Sequence, residues 1–486
     1  MMEEDLKPLD ISVFDYYRNL DEATLDVMLD PYIRDIKQKI VILDDDPTGV
    51  QTVNDVFVYT DWSVETFKKG LTGAKKLFFI LTNSRGLTVP QTTAVHTEIA
   101  HNLAQASKET GVDFILMSRS DSTLRGHFPL ETETLRDVLE DDMGIQFNGE
   151  IIFPFFKEGG RFTLNNIHYV QEGDKLIPAA QTEFAKDKSF GYSSSDLTKY
   201  VEEKTKGKFL AKDVTCISLQ DLRDCEIDKI TNQLISVHSF NKIIVNAIEC
   251  IDVKVFCIAL CKALQLGRRF IFRSAGSVCK VIGGVKSRPL LTKKDLVLPG
   301  NTNGGIVIIG SHVKKTTQQF EELKNCKYPL EFIEFHAARV LEEGGLAKET
   351  KEVIEKAESF ITQGKSVVVY TSRELVKLDT DDKDKILEVS VAISNALVAV
   401  IGDMTVKPNF IIAKGGITSS DVGTKALRVK RARVMGQIKP GIPVWMTGDE
   451  SKFPYMPYVI FPGNVGQVTT LREAVEVLMS DEETNE

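Results

Sequence analysis

The chain has 486 residues, with 60 Lys plus Arg and 69 Asp plus Glu, so its formal net charge is −9. Because domains commonly span roughly 100 to 200 residues, this length predicts two or three compact units and excludes a small single-core module. An acidic balance repels phosphate backbones and anionic lipid, so neither nucleic acid nor a membrane is an expected partner. The best local basic segment, Arg428 to Arg433, is short.

Targeting and cysteine features favour a cytoplasmic protein. No apolar run approaches the roughly 18 to 20 residues of a membrane-spanning helix, and Glu3, Glu4 and Asp5 do not suit a signal peptide. The seven cysteines contain no CxxC pair, so we expect neither a disulfide framework nor a cysteine metal site.

The N-terminal half begins with a polar, helix-like stretch and then alternates apolar strands with helices. Residues 1–37 predict a helical appendage, and a helix is expected at 92–110. Short buried strands are predicted at 40–43, 77–81, 114–117, 151–153, 243–245 and 270–272. Such alternation predicts a mainly parallel sheet covered by helices, with the chemistry at the carboxyl ends of its strands.

The segment 290–305 is rich in Pro, Gly and Asn and predicts a domain boundary near residue 295. Strand and helix then alternate again, with strands at 306–309, 330–335, 366–370 and 410–413 and a long helix at 384–401. The predicted organisation is an appendage (1–37), an α/β domain (38–295), a second α/β domain (296–478) and an acidic tail (479–486).

The first chemical constellation is LDDDPTG at residues 43–49, where three carboxylates follow a buried strand. Clustered carboxylates repel one another and need a cation, hydrogen bonds or a proton, so such clusters often mark a functional site. A solvated loop that caps a helix is the structural alternative. Pro47 and Gly49, which shape the loop beside the acids, favour the functional interpretation.

The second constellation is SRSDSTLRGHF at residues 118–128, which combines two arginines, an aspartate and hydroxyls after an apolar strand. Arginine forks bind carboxylate or phosphate, and hydroxyls hold sugar-like oxygens. Arg85 and Arg161 follow other predicted strands. Four arginines around three aspartates indicate a small polyhydroxy anion as the ligand.

The third constellation is AKGGITSSDVG at residues 413–423, where a strand leads through two glycines into a helix. Glycines let backbone amides approach a phosphate, and a helix N-terminus favours negative charge. An ordinary glycine turn capped by a serine fits equally well. The strand-to-loop segments 308–317 and 461–467 support the phosphate interpretation.

Taken together, these motifs resemble the four-carbon acid sugar kinase family over about residues 38–477. Residues 45–49 resemble its DDFTG loop, residues 119–126 its KxDSTLRG segment with six identities in DSTLRG, and residues 160–163 its GRTT-like loop. In the C-terminal half, Gly310 and Ser311 resemble its GS segment, residues 415–419 its GGxTS loop, and residues 463–466 its GNxG segment. Two departures are Arg119 in place of Lys and Pro47 in place of an aromatic residue.

The resemblance implies two α/β domains with an active-site cleft between them, and an ATP-dependent phosphotransferase that acts on an alcohol group of erythronate, threonate, 3-oxo-tetronate or a similar acid. ATP and Mg²⁺ are the implied cofactors, and the sequence assigns no metal ligand. A homodimer is the candidate assembly, and the sequence does not decide it. The implied site residues are Asp45, Asp121 and Arg125 for catalysis, with the base left open between Asp45 and Asp121; Asp46, Thr48, Gly49, Arg85, Arg119, Ser122 and Arg161 for the acid; and Ser311, Gly415, Gly416, Ile417, Thr418, Gly463 and Asn464 for ATP.

Two other functions stay open from the sequence. Asp44, Asp46 and Thr48 fit the DxDxT motif of haloacid-dehalogenase-like phosphatases, with Thr82 after the second strand and Gly402-Asp403 as a late acidic motif. That alternative leaves DSTLRG unexplained. A non-catalytic sensor of nucleotide or sugar acid is the third class, although a pure binder gains little from crowded carboxylates.

Overall fold

The computed structural model describes residues 6–374, 376 and 382–480. The chain divides into two units: the first runs to Val53 and continues with Asp61–Ser287, and the second comprises Asn54–Thr60 and the chain from Arg288. Most of the predicted acidic tail, residues 481–486, lies outside the described residues.

The described strands are β1 (Leu9–Asp10), β2 (Lys39–Asp44), β3 (Val56–Tyr59), β4 (Leu77–Leu81), β5 (Phe114–Arg119), β6 (Gly149–Phe153), β7 (Arg161–Leu164), β8 (Ile167–Glu172), β9 (Lys175–Pro178), β10 (Thr215–Ile217), β11 (Asn241–Val245), β12 (Phe270–Ser274), β13 (Ile306–Ile309), β14 (Leu330–Phe335), β15 (Ser366–Thr371), β16 (Ile411–Lys414), β17 (Arg431–Lys439), β18 (Ile442–Thr447) and β19 (Pro457–Phe461).

The described α-helices are α1 (Glu22–Asp35), α2 (Val64–Thr72), α3 (Val89–Thr110), α4 (Leu130–Met143), α5 (Leu197–Lys204), α6 (Leu219–Arg223), α7 (Ile227–Ser236), α8 (Cys250–Gln265), α9 (Gly276–Ile282), α10 (Lys293–Leu296), α11 (Lys314–Leu323), α12 (Gly345–Thr362), α13 (Lys383–Asp403), α14 (Gly416–Asp421) and α15 (Thr470–Met479). Within the described residues, no helix is long and apolar enough to cross a membrane.

The first unit is built on a parallel sheet with the strand order β10-β11-β6-β12-β5-β2-β4. Strand β2 lies between β4 and β5, which follow it in the chain, so the strand order reverses at β2. Ligands of open α/β sheets bind at such a switch point, outside the carboxyl ends of the strands. Asp44 is the last residue of β2, and the loop that follows it carries Asp45 and Asp46.

The same unit carries a small antiparallel sheet, β1-β9-β8-β7, that the sequence did not predict. Helix α1 belongs to this unit as well. Leu25 and Leu29 of α1 are buried, and Lys254 of α8 pairs with Glu22 at 2.8 Å and with Asp26 at 2.5 Å. The N-terminal stretch therefore packs onto the first unit through α8.

The second unit contains a mixed sheet with the strand order β3-β17-β18-β19-β16-β13-β15-β14. Strands β14, β15, β13, β16 and β19 are parallel, whereas β18, β17 and β3 extend the sheet in antiparallel fashion. The central parallel strands are apolar because both of their faces are buried, as in β13, where Ile306, Val307, Ile308 and Ile309 are all buried. The edge strand β14 instead carries the partly exposed Glu331 and Glu334.

The structure confirms the α/β class and the mainly parallel sheets, but it assigns two segments differently. Residues 54–60 lie in the second unit and not among residues 38–295, because β3 pairs with β17 and Asp55 pairs with Arg433 at 2.6 Å. The second unit also begins at Arg288, ahead of residue 295, because the Leu291 N–H donates to the Gln437 carbonyl at 2.8 Å. The basic segment at 428–433 partly forms β17.

Candidate active site

The site in the first unit begins where three adjacent strands end. Asp44 is in register with Leu81 of β4 and with Arg119 of β5. The loops that follow these residues carry Asp45 and Asp46, Arg85, and the segment from Ser120 to Gly126. The sheet therefore brings together the first two predicted constellations.

A short 3₁₀ turn, Pro47–Val50, shapes the aspartate loop. The Asp46 carboxylate accepts hydrogen bonds from the Thr48 N–H at 2.8 Å and the Thr48 hydroxyl at 2.6 Å, which caps the turn. The buried carboxylate of Asp44 lies against Gly49, where an added Cβ would sit 1.7 Å from Asp44 Oδ2. Glycine is required at residue 49 because any side chain would displace the Asp44 carboxyl group.

Arg85 ties two of the aspartates together. Its Nη2 and Nε contact the two carboxylate oxygens of Asp45 at 2.6 and 3.1 Å, and Nη1 contacts Asp46 Oδ2 at 3.3 Å. Such a fork is a strong, geometrically specific pairing. Arg85 is therefore neutralised by the aspartate loop.

The segment after β5 wraps around Asp121. The Asp121 carboxylate accepts from Arg125 Nε at 2.7 Å and from the Thr123 hydroxyl. The Ser120 hydroxyl donates to Asp45 Oδ2 at 3.1 Å, which joins this loop to the aspartate loop. Gly126 has φ +111°, and an added Cβ would lie 2.8 Å from Ser120 Oγ, so a glycine is needed here too.

Three buried side chains hold this loop by its carbonyls. Tyr192 and Tyr200 donate from their hydroxyls to the carbonyls of Thr123 and Leu124 at 2.9 and 3.0 Å. His168 donates from Nε2 to the Ser122 carbonyl at 2.7 Å. Burial lowers the pKa of His168 to about 4, so the ring is neutral at pH 7 and acts as a fixed donor.

Burial and neighbouring charges shift the pKa values of the four aspartates in different directions. Burial raises the pKa of Asp44 to about 8, against the opposing attraction of Arg119, whose Nη1 is 3.5 Å away. Burial also raises the pKa of Asp45, although Arg85 opposes the shift. For Asp46, Arg85 and the Thr48 hydrogen bonds outweigh burial and lower the pKa. For Asp121, Arg85 and Arg125 likewise outweigh burial and lower the pKa.

Several site residues were not assigned from the sequence. Glu131, in the first turn of α4, is buried and accepts from the Ser84 hydroxyl at 2.5 Å, and its charge contributes to the raised pKa of Asp45. Phe184 faces both Arg125 and Arg161, with guanidinium-to-ring distances of 5.0 and 5.7 Å. Arg273 of β12 donates to the Arg125 carbonyl at 3.1 Å. Among these three residues, only Arg273 had a sequence signal, namely its position at the end of a predicted strand.

The predicted nucleotide residues gather at the carboxyl ends of β13, β16 and β19 in the second unit. Gly415 has φ +128°, and an added Cβ would lie 3.1 Å from Ser311 Cβ and from Thr418 Oγ1. The Thr316 hydroxyl contacts the Ser311 hydroxyl and the Gly463 carbonyl, each at 3.2 Å. Ser311, Gly415, Thr418 and Gly463 therefore share one location.

Helix α14 starts at this point, directly after Gly415. The first-turn amides of a helix have no intrahelical acceptor and favour an anion. Gly416 and Ile417 stand in this first turn, and an added Cβ at Gly416 would meet nothing within 4 Å. The Ile417 side chain is 72% exposed. Only their backbone amides are suited to hold phosphate.

Two lysines, Lys414 and Lys315, contact the loop at residues 462–464, which is the third of the predicted nucleotide-binding loops. The fully buried Lys414 ammonium donates to the carbonyls of Pro462 and Gly463 at 2.5 and 3.0 Å. Lys315 donates to the Asn464 carbonyl at 3.4 Å. Burial, with a smaller effect from Lys315, lowers the pKa of Lys414 to about 7. Both lysines engage loop carbonyls of residues 462–464.

Mg²⁺ is compatible with these residues as an ion brought by the nucleotide. Within the part of the chain that the structure describes, no three His, Cys, Asp or Glu side chains are grouped to hold a metal. Mg²⁺ usually keeps several waters and binds through one or two carboxylates plus the substrate phosphates. The aspartate loop can supply such a carboxylate.

Comparison with known families decides the relationship. A model described as a sugar-binding N-terminal domain matches residues 40–282, and one described as a nucleotide-binding C-terminal domain matches residues 306–471. The chain belongs to the four-carbon acid sugar kinase family. In this family member, the aspartate and arginine cluster lies in the sugar-binding match, and Ser311, Gly415 and Gly463 lie in the nucleotide-binding match.

Solved structures share the fold of this acid sugar kinase family member. A Haemophilus influenzae protein is 16% identical, with a TM-score of 0.61, and the match covers 90% of this chain and 100% of that one. A candidate tRNA synthase from Salmonella typhimurium LT2 is 15% identical, with a TM-score of 0.64 and coverage of 90% and 98%. No curated protein matches the chain by sequence.

Proposed function

We propose that this chain is an ATP-dependent kinase that transfers a phosphoryl group to a hydroxyl of a small sugar acid, such as erythronate, threonate or 3-oxo-tetronate. The observation that carries the proposal is the buried Asp45 carboxylate, which Arg85 and Ser120 hold at the switch point of the sugar-binding sheet. A cytoplasmic location and a homodimer stay predictions from the sequence.

Phosphoryl transfer asks the protein to position the reactants and to offset developing charge, while a carboxylate takes the proton of the attacking hydroxyl. Asp45 suits this role better than Asp121. Burial raises the pKa of Asp45, whereas Arg85 and Arg125 lower that of Asp121 and make it a weak base. Asp121, bound to Arg125, is better suited to orient the arginine beside the substrate. Arg125 would then face the sugar acid or the moving phosphoryl group.

The ATP phosphates would lie on the amides of Gly416, Ile417 and Thr418, with Ser311, Gly463 and Asn464 beside them. Gly415 lets the backbone approach because it has no Cβ to meet Ser311. Mg²⁺, carried on the phosphates, would neutralise part of their charge. These assignments propose individual ATP-binding residues within the region that matches the nucleotide-binding domain.

The phosphatase alternative requires an accessible nucleophile at Asp44. This carboxylate is 1% exposed and packs against Gly49, and its pKa of about 8 keeps it mostly protonated at pH 7. A protonated, enclosed carboxyl group cannot attack a phosphate ester. The sensor alternative shares the proposed binding residues, so turnover must distinguish it.

The deciding experiment measures ADP release from ATP and Mg²⁺ across C4 to C6 aldonates and oxo-acids. We expect acid-dependent turnover that Asp45→Asn lowers by roughly 10²- to 10⁴-fold, the range of general acid–base catalysis, while ADP binding is unchanged. Because burial raises the pKa of Asp45, the acidic limb of kcat/KM should lie above the ordinary value of 3.8. If Asp121→Asn abolishes this limb and Asp45→Asn keeps it, Asp121 is the base.

Asp137→Asn is the matched control, since Asp137 is an exposed partner of Arg136 in the same unit. It should retain wild-type turnover. Binding of acid and ADP without turnover would replace the kinase with a sensor. Phosphate release from phosphorylated acids without ATP would replace it with a phosphatase.

A further inference from the structure

Lys414 is the last residue of β16 and stands directly before Gly415 in the chain. Its side chain is fully buried. The ammonium donates to the carbonyls of Pro462 and Gly463 at 2.5 and 3.0 Å, and it lies 4.3 Å from the centre of the Phe461 ring. One buried lysine therefore joins the end of β16 to the loop that follows β19.

Among the described residues, no carboxylate balances this charge. The strand neighbours of Lys414 are the apolar residues Ile309 of β13 and Phe461 of β19. Lys315 of α11 is the charged group that acts on Lys414, and its charge has the same sign. A buried charge without an opposite charge is costly, so the ammonium gains from any anion that binds beside it.

Lys414 lies at the location where the predicted nucleotide residues gather. The Gly463 carbonyl accepts hydrogen bonds from both the Lys414 ammonium and the Thr316 hydroxyl, and Thr316 contacts Ser311. An added Cβ at Gly415 would lie 3.1 Å from the Ser311 Cβ. The uncompensated charge of Lys414 is therefore part of the same group of loops.

The phosphates of a nucleotide can supply the missing negative charge. Burial, with a smaller effect from Lys315, lowers the pKa of Lys414 to about 7, so the side chain is only partly protonated at neutral pH. An anion nearby favours the charged form of a lysine and raises its pKa. Phosphates on the first-turn amides of α14 would therefore draw a proton from the solvent onto Lys414 Nζ.

We propose that Lys414 is a positioning residue that takes up a proton when the nucleotide binds, which makes nucleotide affinity fall as the pH rises above neutrality. The proposal rests on the proposed ATP site and adds a coupling to pH. The charged ammonium has three N–H donors, and it holds the carbonyls of Pro462 and Gly463 beside the phosphates. The neutral amine has two donors and no charge, so it holds this loop less firmly.

The test is isothermal titration calorimetry of ADP with Mg²⁺ at pH 8 in Tris and in HEPES, two buffers with different ionisation enthalpies. The change of the binding enthalpy with the buffer counts the protons taken up. We expect roughly 0.4 to 0.8 proton per ADP, for a pKa of Lys414 that rises from about 7 by one to two pH units. By the same linkage, the affinity for ADP should fall roughly 5- to 25-fold between pH 7 and pH 9.

Lys414→Gln keeps an N–H donor for the loop but cannot titrate, so the proton uptake should disappear and the Kd of ADP should no longer depend on pH in this range. Lys407→Met is the matched control. Lys407 precedes the same strand at its other end, and its Nζ also donates to a proline carbonyl, that of Pro454, at 2.6 Å. Burial and Arg373 lower the pKa of His312, so His312→Asn should keep the uptake at pH 8, as Lys407→Met should.

The wild-type protein decides the main claim even if Lys414→Gln does not fold. Equal binding enthalpies of ADP in the two buffers would overturn the proposal and leave the ATP site standing. Unchanged proton uptake in Lys414→Gln would assign the proton to another group and overturn it as well.

Binding and turnover separate this proposal from the kinase function. ADP binding with proton uptake, but without turnover of ATP on any acid, would refute the kinase alone. Protein that binds no ADP would overturn both the ATP site and the role of Lys414.

Discussion

Asp44 shows how one side chain can make the stability of the aspartate loop depend on pH. Its carboxyl group is buried against Gly49, and its pKa is raised to about 8 by burial despite the nearby Arg119. In the unfolded chain the same group titrates near 3.8. The folded protein therefore binds this proton more tightly than the unfolded chain does, and stability from this group is lost as pH rises towards 8.

The substitution Asp44→Asn should remove that pH dependence. Relative to the wild type, the variant should gain roughly 1 kcal/mol of unfolding free energy per pH unit between pH 5 and pH 8, since each pKa unit corresponds to about 1.4 kcal/mol. Denaturant unfolding at three pH values measures the difference. Asp46→Asn is the control. Because the pKa of Asp46 is lowered, its ionised carboxylate stabilises the folded state, and this contribution is already complete above pH 5. The variant should therefore differ from the wild type by a constant loss of unfolding free energy between pH 5 and pH 8. A constant difference between Asp44→Asn and wild type across this range would contradict the argument.

The start of α14 depends on two glycines with different requirements. Gly415 has φ +128°, and an added Cβ would press on Ser311 and Thr418. Gly416 begins the helix, and an added Cβ there would be in open space. Substitutions at these two adjacent positions therefore test different effects, which are backbone strain at Gly415 and helix propensity at Gly416.

Gly415→Ala should therefore destabilise the protein by about 1 to 3 kcal/mol, the cost of holding a non-glycine residue in such a conformation. Gly416→Ala should be neutral or stabilising by up to about 1 kcal/mol, because alanine favours a helix over glycine. Differential scanning calorimetry of both variants measures the contrast. Comparable destabilisation by the two substitutions would show that the loop does not depend on the conformation of Gly415.

The sequence predicted most of the parallel strands because they are short apolar runs that end in Gly, Pro or polar residues, but it did not predict β10 and β19. It did not predict the pairing of β3 with β17, since those residues are far apart in the chain and their pairing depends on tertiary contacts. The site shows the same limit. The positions of the aspartates and arginines at strand ends predicted that these residues would lie close together. Which arginine pairs with which aspartate, as Arg85 does with Asp45 and Asp46, depends on loop geometry that the sequence pattern does not show. Phe184 and Glu131 belong to no recognisable motif, so their sequence context did not single them out.

The two family matches place the sugar-binding domain and the nucleotide-binding domain in different halves of the chain. The arginine cluster lies within residues 40–282, and the glycine loops lie within residues 306–471. A ligand that binds only the folded state stabilises it by about 2.7 kcal/mol at a hundredfold excess over Kd. Each ligand should therefore raise the unfolding temperature through its own half.

We expect opposite patterns of ligand stabilisation in two full-length variants. Arg161→Gln should lose the thermal shift produced by the sugar acid and keep the shift produced by ADP, because Arg161 is one of the residues that the family resemblance implies for the acid. Gly415→Ala should lose the ADP shift, beyond its lower starting stability, and keep the acid shift, because only the nucleotide loop is distorted. Scanning calorimetry with each ligand at a hundredfold excess over its wild-type Kd makes the comparison. If either substitution removes both shifts, the acid and the nucleotide do not have separate binding sites in this chain, and the division of roles between its halves is wrong.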